Sequence, residues 1–151
     1  MDTDIVLRSS LAAVHNAVAR QTRDELNGAF LAFDKGHEFL KRCLERISGI
    51  YDPYNWPIIG PVLVTRVVAS LKQTPNEVRV LSREAFYSIG WDEAPKLIGA
   101  DANIVRDMYD IKGAPSDKSR HFGYHFWSRS LFQGHVDVSI NSFGGWALLD
   151  T

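Results

Sequence analysis

Two carboxylates, Asp2 and Asp4, stand two positions apart and run directly into the apolar, β-branched stretch Ile5-Val6-Leu7. In extended backbone, side chains at i and i+2 leave the chain on the same side, so both acids can face one ligand. A pair of hard oxygen donors beside a strand suits Mg²⁺ or Mn²⁺, ions that keep coordination positions open for a substrate phosphate. The same letters also arise in an acidic surface turn before a strand. The D-x-D pattern by itself leaves both readings open.

With 151 residues, 45% of them hydrophobic and 23% charged, the chain is one domain in size and long enough to bury a core. The net charge of −1, with acids and bases interspersed, leaves no basic footprint for nucleic acid or an anionic membrane surface. Cys43 is the only cysteine, which excludes an internal disulfide. No apolar run reaches the length of a membrane span, and the N-terminus lacks the pattern of a signal peptide.

Arg8 to Arg23, with Leu11, Val14 and Val18 at helical spacing, reads as a loop with a short helix. Asn27-Gly28 then reads as a turn opening into a buried strand over Ala29-Phe30-Leu31-Ala32-Phe33, with Asn27 either a plain turn residue or a ligand contact where the strand opens onto a site. From His37 to about Tyr51, Phe39, Leu40, Cys43, Leu44, Ile47 and Ile50 recur at three and four, one face of a helix. A loop rich in proline and aromatics, Tyr51 to Gly60, leads to a second helix starting at Pro61 and ending near Lys72. Pro61 suits a first helical position, where its missing N–H has no intrahelical partner to lose. The aromatics of that loop serve either as a plain connection or as a wall for a small polar ligand.

Glu77 to Ser82 reads as a short strand, Arg83 to Trp91 as an irregular turn, Trp91 to Lys112 as interrupted helix, and His121 to Trp127 as a strand. Alternating strands and helices predict an α/β fold with a mainly parallel sheet flanked by helices.

Taken in order, Asp2-Thr3-Asp4, Leu26-Asn27-Gly28-Ala29, His37-Glu38-Phe39, Trp56 with Gly60-Pro61, Thr65-Arg66-Val67, Glu84-Ala85-Phe86-Tyr87 with Trp91, and His125-Phe126-Trp127 are spaced along the chain in a recognisable series. The series resembles the α1,4-galactosyltransferase and α1,4-N-acetylglucosaminyltransferase group of glycosyltransferase family 32. The resemblance covers residues 2 to about 130 and leaves 131–151 as a divergent tail. It implies the C-terminal portion of a GT-A fold, a UDP-sugar donor, Mn²⁺ or Mg²⁺, and retaining α1,4 transfer of galactose or N-acetylglucosamine to a glycolipid or glycan in the Golgi lumen.

Carried over by position, the resemblance makes Asp2 and Asp4 the acids that hold metal and diphosphate, with His125 a third metal ligand from a distant strand. It places Asn27 against donor-sugar hydroxyls, and Trp56, Gly60 and Pro61 in a loop bordering the donor and acceptor sugars. Pro57 stands where the family usually has Gly, and Ser128 where it commonly has Asn.

A GT-A fold places strands for the nucleotide before its D-x-D, so the chain is expected to lack the N-terminal nucleotide-binding half and to be prone to self-association through exposed strand edges. The alternative expectation is a catalytically inactive remnant or a sugar- or partner-binding module. A haloacid-dehalogenase-type phosphatase also places an Asp-x-Asp beside a strand, but it calls for an apolar strand before the pair and a Thr or Val two residues after it, and neither the upstream strand nor the Thr is present.

Overall fold

Backbone hydrogen bonding in this chain is divided between two small sheets, each in its own compact unit. A computed structural model describes residues 1–71, 78–101, 121–134, 141–143 and 145. The first unit comprises Met1–Asp2 and Ala12–Arg83, the second Thr3–Leu11 and Glu84–Thr151.

In the first unit, β2 (Ala17–Arg20) lies between β3 (Leu26–Ala32) and β4 (Arg79–Leu81). Strands β2 and β3 are antiparallel, while β2 and β4 run parallel. The expected helix in the 8–23 stretch is therefore a strand, and the mainly parallel sheet is a mixed one. The cause is connection length. Gln21 to Glu25 join β2 to β3, too short a link for anything but a hairpin. Thr22 holds that hairpin, its hydroxyl accepting from the Asp24 and Glu25 N–H groups.

Nor is Asn27-Gly28 a turn, since both residues lie inside β3. The irregularity comes in the register: Val18 pairs with Leu31 but Ala19 with Asn27, so the ladder jumps across Gly28, Ala29 and Phe30. This is a bulge that sets those residues apart from the β2 ladder.

Helix α1 (Glu38–Ile50) starts at His37, whose Nδ1 accepts the Phe39 N–H, and carries a half-buried Glu38–Arg42 pair at i,i+4. Helix α2 (Pro61–Leu71) begins at its proline, with the Gly60 carbonyl accepting the Val64 N–H. Between them Trp56–Ile59 form a 3₁₀ turn. The core of this unit is largely aliphatic: Val18, Leu26, Leu63, Val64, Val67, Val68, Leu71 and Val78 surround the fully buried Phe39. Leu40, Cys43, Ile47 and Ile50 pack on it as their spacing predicts, whereas Leu44 stays 71% exposed, so the buried stripe of α1 is narrower than its sequence suggests. Burial pushes the Cys43 thiol up to about 11, which leaves it protonated and inert at neutral pH.

The second unit is built on β1 (Ile5–Leu7) paired antiparallel with β5 (Gly123–His125), in the register Ile5–His125, Val6–Tyr124, Leu7–Gly123. Phe126 extends the ladder by donating its N–H to the Asp4 carbonyl at 2.9 Å. On the other edge of β5, the Phe122 and His125 N–H groups reach the Ala85 and Phe86 carbonyls. With neighbours on both edges, Phe122, Tyr124, His125 and Phe126 are all buried. Helices α3 (Ala94–Leu97) and α4 (Ser128–Gly134) are short. The core here is mostly aromatic, with Tyr124, Phe126 and Phe143 against Ile89, Ala94 and Ile98. Phe143, from the stretch expected to be a divergent tail, is fully buried in it. Residues 102–120, expected to continue a helix into a polar loop, lie outside the described residues.

Candidate functional site

The antiparallel pairing of β1 and β5 decides where the chemistry meets. It brings the N-terminal end of β1, which Asp4 precedes, to the C-terminal end of β5, which His125 closes. The His125 Nε2 stands 3.0 Å from Asp4 Oδ1, and the imidazole is 6% exposed against 20% for the carboxylate. With the carboxylate ionised, Nε2 is the donor of this bond.

The other carboxylate oxygen is equally committed. Ser128 donates both its N–H, at 2.9 Å, and its hydroxyl, at 2.8 Å, to Asp4 Oδ2. Burial pushes the Asp4 carboxyl up, but the Ser128 N–H, the His125 ring and the Ser128 hydroxyl together outweigh it and hold the group below the ordinary aspartate value. Asp4 is thus a fixed anion at neutral pH, a property wanted in a ligand for a hard cation.

The chain turns sharply to present Ser128. Trp127, between His125 and Ser128, has φ 53°, the left-handed region that a bulky side chain adopts only when its surroundings compel it. Three contacts do so. The Trp127 Nε1–H donates to the Ile89 carbonyl at 2.8 Å, the indole meets the His125 ring edge-on at 4.1 Å between centroids, and its backbone carbonyl accepts the Ser130 N–H at 2.7 Å. Tyr87, fully buried, packs a second ring edge-on against His125 at 5.6 Å. Two aromatic rings therefore fix the plane of the imidazole. Strain of this kind concentrates at functional sites.

Asp2 belongs to the other unit, where its N–H donates to the Ala29 carbonyl at 2.7 Å. Asn27, expected against sugar hydroxyls, is 6% exposed; its Oδ1 accepts the Ala29 N–H at 2.7 Å and its Nδ2 donates to Gln21 Oε1 at 2.6 Å. Gly60 and Pro61 sit at the start of α2. Trp56 opens the 3₁₀ turn before them, and in the same loop Tyr51 and Tyr54 are exposed, Tyr54 almost completely.

Sequence reasoning had no purchase on Ser128 and Tyr87 as partners of this site. Ser128 stood out only as a departure from the family's Asn, and Tyr87 only as part of a motif. A pattern that could have raised Ser128 is its place after a strand and before a helix, where hydroxyl residues commonly meet carboxylates or free N–H groups.

A family model described as the alpha 1,4-glycosyltransferase conserved region matches residues 32–143, and the chain belongs to this family of glycosyltransferases. The match includes Trp56, Gly60, Pro61 and His125, and begins after the two acids and Asn27. Lactosylceramide 4-alpha-galactosyltransferase of Rattus norvegicus is 38% identical over 104 residues, which cover 64% of this chain and 29% of that protein. The Homo sapiens protein of the same name is 36% identical over 104 residues, covering 64% of this chain and 30% of its own length. This chain thus spans less than a third of the length of these two relatives. No solved structure gives a significant match.

Proposed function

We propose that the chain is the D-x-D-containing C-terminal portion of a GT-A α1,4-glycosyltransferase that moves galactose, or N-acetylglucosamine, from a UDP-sugar to a glycolipid or glycan with retention. Family membership supports the reaction class, and the names of the relatives support galactose and a glycosphingolipid acceptor. The observation that carries the site is the Asp4–His125 pair, 3.0 Å apart and anchored by Ser128. Asp2, two residues from Asp4 along the chain, is the third candidate ligand by the family resemblance. Two carboxylates and one imidazole fit Mn²⁺ or Mg²⁺ in the donor chemistry of this site.

In that reading, the bound cation supplies Lewis-acid stabilisation of the departing nucleotide diphosphate. The protein residues do the positioning. Ser128 keeps Asp4 ionised and pointed, Tyr87 and Trp127 fix the plane of the His125 ring, and Nε2 would serve as a ligand in the imidazole tautomer that carries its proton on Nδ1, leaving Asp4 an anion. Asn27 is linked to Asp2 through the Ala29 backbone. Trp56, Gly60 and Pro61 border the sugars, with exposed Tyr51 and Tyr54 beside them as apolar faces for a sugar ring. Localisation in the Golgi lumen belongs to the same reading; among the described residues no helix is long and apolar enough to cross a membrane.

Manganese binding, followed by water-proton relaxation with and without UDP, tests the site. The unsubstituted chain is expected to bind Mn²⁺ and to bind UDP more tightly in its presence. Asp4→Asn and His125→Ala are expected to weaken Mn²⁺ affinity at least about tenfold, the usual size of a lost ligand or its close support. Unchanged Mn²⁺ binding in an Asp2→Asn, Asp4→Asn double variant would remove the metal reading.

A further inference from the structure

The bulge in β3 has a use that goes beyond the three candidate ligands, though it rests on Asp2 being one of them. Gly28, Ala29 and Phe30 are set apart from the β2 ladder, so the backbone groups of this stretch need other partners. Ala29 is 3% exposed, and both its groups are accounted for: its N–H donates to Asn27 Oδ1 and its carbonyl accepts from Asp2, each at 2.7 Å. Asn27 is in turn held from behind. Its Nδ2 donates to Gln21 Oε1 at 2.6 Å, and Gln21 Nε2 donates to Glu25 Oε2 at 3.1 Å in the hairpin that precedes β3.

The geometry points to Asn27 as the positioning residue for Asp2: through Ala29 it fixes the backbone of the first acid of the D-x-D, and it does so without touching the sugar. An amide suits this task. Its carbonyl end makes the i to i+2 bond that closes the bulge on Ala29, and its NH₂ end reaches the hairpin, a combination no aliphatic or hydroxyl side chain of similar length supplies. The residue is also buried among apolar neighbours, so each polar atom requires a partner: Oδ1 has the Ala29 N–H and Nδ2 has Gln21. Gly28, beside it, has room to spare: an added Cβ would lie 3.6 Å from Val64 Cγ2, an ordinary contact, so the bulge is set by the Asn27 side chain and not by a glycine requirement.

The test is Mn²⁺ affinity in the absence of any sugar nucleotide, combined with amide hydrogen exchange at Asp2 and Ala29. Asn27→Ala is expected to weaken Mn²⁺ binding about tenfold and to speed exchange at both amides, with the β2 and α2 amides unchanged. Asn27→Ser, whose hydroxyl makes the i to i+2 bond more weakly, is expected to recover part of both effects. Gln21→Ala removes only the rear support and is expected to show a smaller change in the same direction. These two milder variants also serve if the alanine variant does not fold. If Asn27→Ala leaves Mn²⁺ affinity and the Asp2 amide untouched while raising the KM for UDP-galactose, the proposal is overturned and Asn27 is a sugar contact. Should the unsubstituted chain bind no Mn²⁺, the metal reading fails, and the exchange arm still decides whether Asn27 holds Asp2.

Discussion

The two sheets of this chain handle polar groups in opposite ways. The three-stranded sheet of the first unit buries an almost purely aliphatic surface under α1 and α2, and keeps most of its side-chain hydrogen bonds at hairpins and helix ends. The two-stranded sheet of the second unit is only three pairs long, yet it buries a histidine and surrounds it with a partly exposed carboxylate, a serine and two aromatic rings. The first arrangement tolerates change in proportion to volume; the second depends on individual atoms. The glycines of the two sheets show the same contrast. A Cβ on Gly28 would make only an ordinary contact with Val64, whereas a Cβ on Gly123 would overlap the Val6 carbonyl oxygen and come within 3.1 Å of Leu7 Cα.

The largest effect should therefore come from Gly123→Ala. No side-chain rotation relieves an overlap with backbone, so β1 and β5 must separate, at a cost of about 3 kcal/mol, the upper end of ordinary overpacking. Urea unfolding followed at amides of Val6 and Tyr124 checks it, and a loss below 1 kcal/mol would show that the pairing is more pliable than the register implies.

Ser128→Ala should have an intermediate effect, and it sharpens the contrast because it changes one atom. Loss of the hydroxyl bond to Asp4 is expected to destabilise the protein by about 1 kcal/mol at neutral pH. Because the folded state holds Asp4 below its ordinary value, the stability Asp4 contributes is present above the unfolded aspartate range and is lost as pH falls through the folded value. The gap between variant and parent should accordingly be full at pH 7 and shrink on the acid side. Carboxyl titration by NMR should show Asp4 moved up toward its ordinary value; no movement would remove Ser128 from the account of that carboxylate.

The smallest effect is expected for Gly28→Ala, within about 0.5 kcal/mol of the parent and of either sign, since lost chain freedom in the unfolded state offsets any crowding at Val64. A loss above 1 kcal/mol in thermal unfolding would mean that the bulge needs glycine after all.

What could be read from the amino-acid order follows the same division. Helices α1 and α2 announce themselves by spacing and by Pro61, because a helix buries one face of a single continuous segment. Strand β2 does not: Ala17-Val18-Ala19-Arg20 is four residues with little strand propensity, and it is a strand because β3 and β4 pair with it. The Asn27-Gly28 dipeptide carries a strong turn signal that long-range pairing overrides. At the site, Asp4 lies more than a hundred positions from both His125 and Ser128, so no local pattern links it to them. Only the resemblance to a family put Asp4 and His125 together, and it passed over Ser128.

The edge-on contact between Trp127 and His125 also makes the second unit its own optical probe. An indole fixed by the Ile89 carbonyl and touching an imidazole at 4.1 Å sits within quenching range of whatever occupies that ring. Emission from Trp127, isolated by replacing the other tryptophans with phenylalanine, would follow occupancy at His125 continuously and without a label.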